Sequence, residues 1–285
     1  MIGAIIGDIV GSYWEFREEK VGKDEIIDLF RVESTITDDS IMTVATAEAI
    51  LFKAFYSSSY QRYCRSFPTY GYGPSFMEWA HTNSSYLKES HSWGNGSAMR
   101  VSPIGWAFNS PQRVMMEAQQ SACVTHCHPE GIKGAQATAM AVYMARTGSS
   151  KAEIMEFMQD WFEYDLDLNL DTLHEEYVFD VSCQGTVPVA LACVLQADSF
   201  EQTLRNGLYV GGDSDTLLAI AGAIAEPLYG VPEDLRKKAE TIVHSHSPAL
   251  LGMIHEFEKN YGKGKTAASN PDSIIDVLLK LIRRK

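Results

Sequence analysis

Two short acidic runs carry the most chemistry in this sequence. Thr37-Asp38-Asp39 and Asp213-Ser214-Asp215-Thr216 each set two carboxylates and a threonine hydroxyl against an apolar stretch. Taken singly, each fits an ordinary helix start, because Asp, Ser and Thr cap N-termini and carboxylates favour the dipole there. Brought together, they would supply four carboxylates and two threonine hydroxyls, hard oxygen ligands suited to one or two Mg²⁺ or Mn²⁺ ions. Four carboxylates in one pocket without cations would repel one another strongly. No His or thiolate pair shares the spacing, so zinc is not favoured.

A third run, Gly94-Asn95-Gly96-Ser97-Ala98-Met99-Arg100, is a glycine-rich loop leading into an apolar segment. It could bring free N–H groups close to a phosphate, or be a plain turn. His126, in Thr-His-Cys-His-Pro, could donate to a phosphate or cap a helix. Trp93 and Tyr72 could stack on a base or ribose face, or belong to the core. Cys123, His126, Cys127 and His128 hint at zinc, but no second ligand pair stands at a zinc-like spacing. Small buried thiols beside a polar loop are the simpler reading.

Helices must position these groups. Ile5, Ile6, Ile9, Val10, Tyr13 and Trp14 recur at helical spacing, and Gly3, Gly7 and Gly11 form a smooth stripe for close contact. Asp8, Ser12 and Glu15 make one polar stripe on that helix, facing either solvent or a cavity. Further helices are expected over residues 40–54, 133–146, 232–244 and 272–284. Others start at Ser150 with Glu153, at Thr186 with Pro188 in the first turn, and at Ser199 with Gln202. Asp215 or Thr216 to Glu226 is almost wholly apolar, as in a helix buried all round. Residues 25–32 are the best strand candidate. Gly71 to Pro74, Ser90 to Gly96, Thr125 to Gly131 and Gly211 to Ser214 are polar or glycine-rich loops beside helices, where functional groups usually sit. The polar stretch 262–270 reads as a loop rather than a domain boundary. The expectation is a single all-α domain over residues 1–285.

Composition narrows the function classes. The chain has 285 residues, 45% hydrophobic and 21% charged, with a formal net charge of −13. Such a balance disfavours binding nucleic acid through a basic surface, or adsorbing to an anionic membrane. Apolar runs of about nine residues are too short to span a bilayer, which takes about 20. Asp8 and the lack of an early positive charge place the apolar N-terminus in the fold, not in a signal peptide. Five scattered cysteines suit reduced thiols and a cytoplasmic protein. A monomer is the default expectation.

Together the motifs GAIIGDIVGSYWE (3–15), TDDS (37–40), GNGSAMR (94–100), TH (125–126), TVPVAL (186–191) and GGDSDTLLAIAGAIAEPLYG (211–230) resemble the ADP-ribosylglycohydrolase family. Its members include the dinitrogenase-reductase-activating glycohydrolase and ADP-ribosyl-acceptor hydrolases. The resemblance covers nearly the whole chain, in the family's order. It implies an all-α orthogonal helical bundle with a binuclear metal cleft. It implies metal ligands at Thr37, Asp38, Asp39, Asp213, Asp215 and Thr216, holding two Mg²⁺ or Mn²⁺ ions. Glu15 matches an acidic residue near the metals and the scissile bond. Ser92, Trp93, Gly94, Asn95 and Gly96 match the diphosphate loop, and His126 a histidine near it. The implied reaction is hydrolysis of the glycosidic bond between ADP-ribose and a protein side chain or small molecule, with Glu15, Asp38 or Asp215 as general base. An ADP-ribose-binding module without turnover, or a two-metal hydrolase of another glycoside or a phosphoester, stands as the alternative. Leu217 stands where several members carry a polar side chain, and Trp93 where some have tyrosine. Residues 21–36 have no residue-by-residue match.

Overall fold

The computed structural model describes residues 1–17, 19–87 and 91–262. Fifteen helices account for the regular structure among them. The first half holds α1 (Ile2–Ser12), α2 (Asp38–Phe52), α3 (Tyr56–Ser66), α4 (Pro74–Ala80), α5 (Gly96–Met99), α6 (Ser102–Ala107) and α7 (Pro111–Cys123). The second holds α8 (Pro129–Arg146), α9 (Lys151–Phe162), α10 (Leu170–Glu176), α11 (Cys183–Leu195), α12 (Phe200–Val210), α13 (Ser214–Tyr229), α14 (Glu233–His246) and α15 (Pro248–Tyr261). The fold is all-α, and the one extended pairing among the described residues is an isolated bridge between Gly94 and Ser182.

Helix α13 is the axis of the core. Every residue from Ser214 to Ala225 is buried, enclosed by α1, α8, α11 and α12. Its contact with α1 is backbone on backbone. A Cβ on Gly3 would lie 2.3 Å from the Gly222 carbonyl oxygen, one on Gly7 1.9 Å from that of Leu218, and one on Gly11 2.2 Å from that of Ser214. No side chain fits there, so the glycine stripe fixes how closely the two helices approach. Helices α7 and α8, α2 and α3, and α14 and α15 pack around this pair.

Several boundaries differ from expectation for local reasons. Residues 25–32 form no strand. Ile27 and Leu29 are buried while Ile26 and Val32 are exposed, so the alternation marks a segment with one buried side, but no neighbouring strand among the described residues supplies its hydrogen bonds. Helix α11 starts at Cys183, where the Ser182 side chain accepts from Gly185 N–H at 3.0 Å, so Pro188 lies inside the helix and not in its first turn. Helix α8 begins at Pro129, four residues before the expected start, and α13 runs past Glu226 to Tyr229. The capping box of Ser150 and Glu153 forms at α9. The helix expected over 272–284 and the loop after residue 262 lie outside the described residues. No described helix is long and apolar enough to cross a membrane.

Candidate functional site

The two acidic runs converge, but by different means. At α2, Thr37 is a true N-cap whose hydroxyl accepts from Asp39 N–H at 3.3 Å. That turn is clamped by Asp8 from α1, a fully buried carboxylate. Asp8 Oδ2 accepts from Thr37 N–H at 2.9 Å and Ser40 N–H at 3.1 Å, and Oδ1 from the Thr37 hydroxyl at 2.8 Å. The Ser40 hydroxyl donates to Oδ2 as well. With its own polar hydrogens absorbed, the turn presents Asp38 and Asp39 to the interior. Asp39 Oδ1 is buried without a hydrogen-bond partner.

At α13 the capping function is absent. Gly211 and Gly212 take φ of +74° and +87°, a conformation that suits glycine, and turn the chain into Asp213. The Asp213 side chain makes no cap bond. Instead Asn95 Nδ2 donates to its Oδ2 at 2.7 Å. Asp215 Oδ1 accepts from Thr216 N–H at 2.8 Å, and the Thr216 hydroxyl donates to Asp39 Oδ2 at 3.3 Å, joining the two runs. Carboxylate oxygens of Asp8, Asp39 and Asp215 lie within 4.8 Å of one another, and so do those of Glu15, Asp213 and Asp215.

Burial, then mutual repulsion, raises the proton affinity of this cluster. Burial and the charge of Asp8 lift Asp38 to about 8. Burial and Asp213 lift Glu15 to about 7, and burial lifts Asp8 to about 6 against its four donors. Asp39 and Asp215 are driven well above the ordinary carboxylate range by burial and by neighbouring carboxylates. A cluster of this kind either keeps protons or neutralises its charge with cations. The orphaned Asp39 oxygen, the all-oxygen donor set and the two adjoining ligand groups fit divalent hard cations.

The same cavity, about 590 Å³, extends from these carboxylates to the glycine loop and is walled by Tyr72, Phe76, Arg100, Thr125 and His126. Tyr72 and Phe76 are stacked at 5.5 Å. The loop differs from expectation. Gly94 N–H donates to Ser92 Oγ at 3.2 Å and Asn95 N–H to the Val181 carbonyl at 2.8 Å, so these two donors are spent within the protein. Asn95 also lines the cavity, while its side-chain Nδ2 donates to Asp213 and Thr186. Trp93 is 46% exposed and is not part of the cavity wall. Ser92, Gly94 and Gly96 do line it, as does His126. The histidine that caps a helix is His128, which accepts from Glu130 N–H at the start of α8. The Cys123 and Cys127 sulfurs lie 2.7 Å apart, and His126 Nδ1 is engaged with Thr125, so the four zinc candidates are occupied separately.

Sequence reasoning placed Glu15 and both acidic runs but left Asp8 undecided between solvent and cavity. The polar stripe Asp8, Ser12, Glu15 was its only signal. Arg100 and Thr125 were read only as parts of motifs.

Comparison with known proteins adds four findings. A family model described as ADP-ribosylglycohydrolase matches residues 1–262. Human ADP-ribosylhydrolase ARH3 is 27% identical, over 91% of this chain and 93% of that protein. The ADP-ribosylarginine hydrolase Tri1 of Serratia proteamaculans is 24% identical, over 81% of this chain and 70% of its own. A solved structure titled ADP-ribosylglycohydrolase-related protein complex shares the fold, with a TM-score of 0.64 at 22% identity, over 89% of this chain and 96% of that one.

Proposed function

The chain belongs to the ADP-ribosylglycohydrolase family, and on that premise we propose that it hydrolyses the glycosidic bond between an ADP-ribosyl group and its acceptor, releasing ADP-ribose. The observation that carries this reading is one cavity with a buried carboxylate cluster at one end and a glycine loop with His126 at the other. A ribose with a diphosphate attached needs both.

Two divalent ions, Mg²⁺ or Mn²⁺, would be held by Thr37, Asp38, Asp39, Asp213, Asp215 and Thr216. When bound they neutralise the cluster, fix ribose hydroxyls and lower the pKa of water. Every other part of the reaction falls to side chains. Asp8 holds the Thr37–Ser40 turn so that Asp38 and Asp39 keep their aim. Asn95 does the same for Asp213. Glu15 is half-buried at the cavity wall, where burial and the Asp213 charge raise its proton affinity in the metal-free site; cations beside it would lower that affinity and leave it as the carboxylate that accepts a proton. It takes the proton of the attacking water as the new C–O bond forms at the anomeric carbon. The bond to the acceptor breaks with its electron pair, and the proton received by Glu15 is given up to the departing acceptor, so that one water is consumed and Glu15 returns to its starting form. The glycine loop and His126 hold the diphosphate, and Tyr72 with Phe76 offers an aromatic wall for the adenosine.

The test is a substrate panel with and without Mg²⁺: ADP-ribosyl-arginine and ADP-ribosyl-serine peptides, O-acetyl-ADP-ribose, and a generic phosphodiester. Metal-dependent release of ADP-ribose supports the proposal, and the best substrate identifies the acceptor. Tight binding of ADP-ribose without turnover on any substrate would make the protein a binding module. Phosphate or monophosphate products would make it a phosphoesterase. Full activity in excess EDTA would remove the metal from the reading.

A further inference from the structure

Behind the glycine loop lies a buried cation that the carboxylate cluster does not use. Arg100 is 1% exposed, the one buried Lys or Arg among the described residues. Its Nη2 donates to the Ser121 carbonyl at 2.9 Å and to Thr125 Oγ1 at 2.9 Å, and its guanidinium sits 4.3 Å above the Tyr60 ring. None of the ion pairs among the described residues involves it. No carboxylate contacts it, and Asp38 acts on it only at a distance, so its charge remains available to something negative beside it.

The hydrogen-bond chain from Arg100 has only one consistent direction. A guanidinium donates and never accepts. Thr125 Oγ1 therefore accepts from Arg100 and keeps one proton to give. Its other polar neighbour is His126 Nδ1, at 2.8 Å. Thr125 is fully buried, so a hydroxyl proton turned elsewhere would be left unsatisfied. Nδ1 must then accept, and the neutral ring carries its hydrogen on Nε2. The ring is neutral because enclosure by protein, with the nearby Arg100 charge, pushes its pKa down to about 3. Nε2 faces the glycine loop: Cβ atoms built on Gly94 and Gly96 would lie 3.4 and 3.2 Å from it. The two missing side chains leave a hollow in front of that donor.

We propose that Arg100 and Thr125 are positioning residues for anion binding, fixing His126 as an Nε2–H donor to a phosphate oxygen seated at Gly94 and Gly96. This rests on the reading of the cavity as a diphosphate site. The donor is preset, so no proton has to move when the ligand arrives. The Arg100 charge stands directly behind the relay and favours an anion over a neutral group of the same shape.

Two measurements test it. The first is the tautomer of His126 in the ¹⁵N-histidine-labelled protein, read from imidazole nitrogen shifts. An Nε2–H tautomer in the wild type that is lost in Thr125→Val supports the relay, and an Nδ1–H tautomer in the wild type overturns it. The second is the affinity for ADP-ribose and for inorganic pyrophosphate, both in EDTA so that no metal mediates. Thr125→Val should weaken both about tenfold, the worth of one hydrogen bond to a charged group, with Thr125→Ser restoring them. A Thr125→Val protein with wild-type affinity for both overturns the proposal. If pyrophosphate responds while ADP-ribose binds to neither protein, the relay stands and the ADP-ribosyl reading falls. Should Thr125→Val not fold, the wild-type spectrum decides alone.

Discussion

The two ends of the cavity handle charge in opposite ways. At one end Asp8, Asp38, Asp39, Asp213 and Asp215 crowd together, and none takes part in an ion pair among the described residues. At the other end Arg100 is buried without a carboxylate. A protein built only for stability would pair such groups or replace them with apolar ones. Here each excess is held by neutral donors and acceptors: hydroxyls and amides around the acids, a carbonyl, a hydroxyl and a ring around the arginine. On the proposed reading the charges are thereby kept for what would fill the cavity, cations beside the acids and an anion beside the arginine.

The sharpest way to break this contrast is Asp39→Asn. The variant should lose metal-dependent turnover by more than about a hundredfold, since even outer partners of metal ligands cost 10- to 100-fold. Its metal-free melting temperature should not fall, because the change relieves repulsion. An active, destabilised variant would mean that Asp39 is structural. Next comes Asp8→Asn, which swaps an acceptor of four donors for a group that accepts at one atom only. Its affinity for Mn²⁺, measured by electron paramagnetic resonance, should weaken by about ten- to a hundredfold. Unchanged Mn²⁺ binding would separate Asp8 from the cluster. At the other end, Gly96→Ala would set a methyl about 3.2 Å from His126 Nε2. ADP-ribose affinity in calorimetry should drop several-fold while Mn²⁺ affinity holds. A variant that lost both equally would mean that the Asn95–Asp213 hydrogen bond transmits the disturbance from the loop to the carboxylates.

The smallest effect is in the pH dependence of stability. Unfolded, Glu15 and Asp38 release protons near 4.5 and 3.8; folded without metal they hold them to about 7 and about 8. Between those limits the folded state binds more protons than the unfolded one. Their contribution is therefore full below about pH 4 and is lost as pH rises through 7 to 8. Bound cations cancel the repulsion. The gap in melting temperature between Mn²⁺-loaded and EDTA-treated protein should widen by a few degrees from pH 5 to pH 8. A constant gap would mean that neither burial nor the neighbouring carboxylates hold protons on Glu15 and Asp38 in the metal-free protein.

Much of the acidic end was legible in the sequence. Thr37 to Asp39 and Asp213 to Thr216 stood out because two similar runs before apolar helices are improbable. Their similarity still misled in one respect: Thr37 caps its helix, whereas Asp213 gives its side chain to Asn95 instead. The opposite end was read less well. Asn95 entered only through the resemblance of residues 92–96 to a diphosphate loop; that its side chain also donates to Asp213, 118 residues away, is something no local pattern encodes. Arg100 gave no signal, since an arginine after a loop is expected to be solvated, and only the packing of Tyr60, Ser121 and Thr125 around it makes it a buried charge. The all-α fold followed from periodicity. The mistaken strand over 25–32 followed from the same reasoning, because alternation reports which side is buried and not whether a partner strand exists.

The glycine contact between α1 and α13 has a mechanical meaning. Asp8 and Glu15 are carried by one helix and its exit turn, Asp213 and Asp215 by the start of the other. Backbones already touching at Gly7 and Leu218 cannot move closer, so the gap between the two sets of carboxylates has a floor but no equally hard ceiling. The pair works as a one-way stop. An ion somewhat too large is met by the helices parting, against packing alone. Closing onto a smaller ion would fall to side-chain rotation alone, because the backbones cannot approach further.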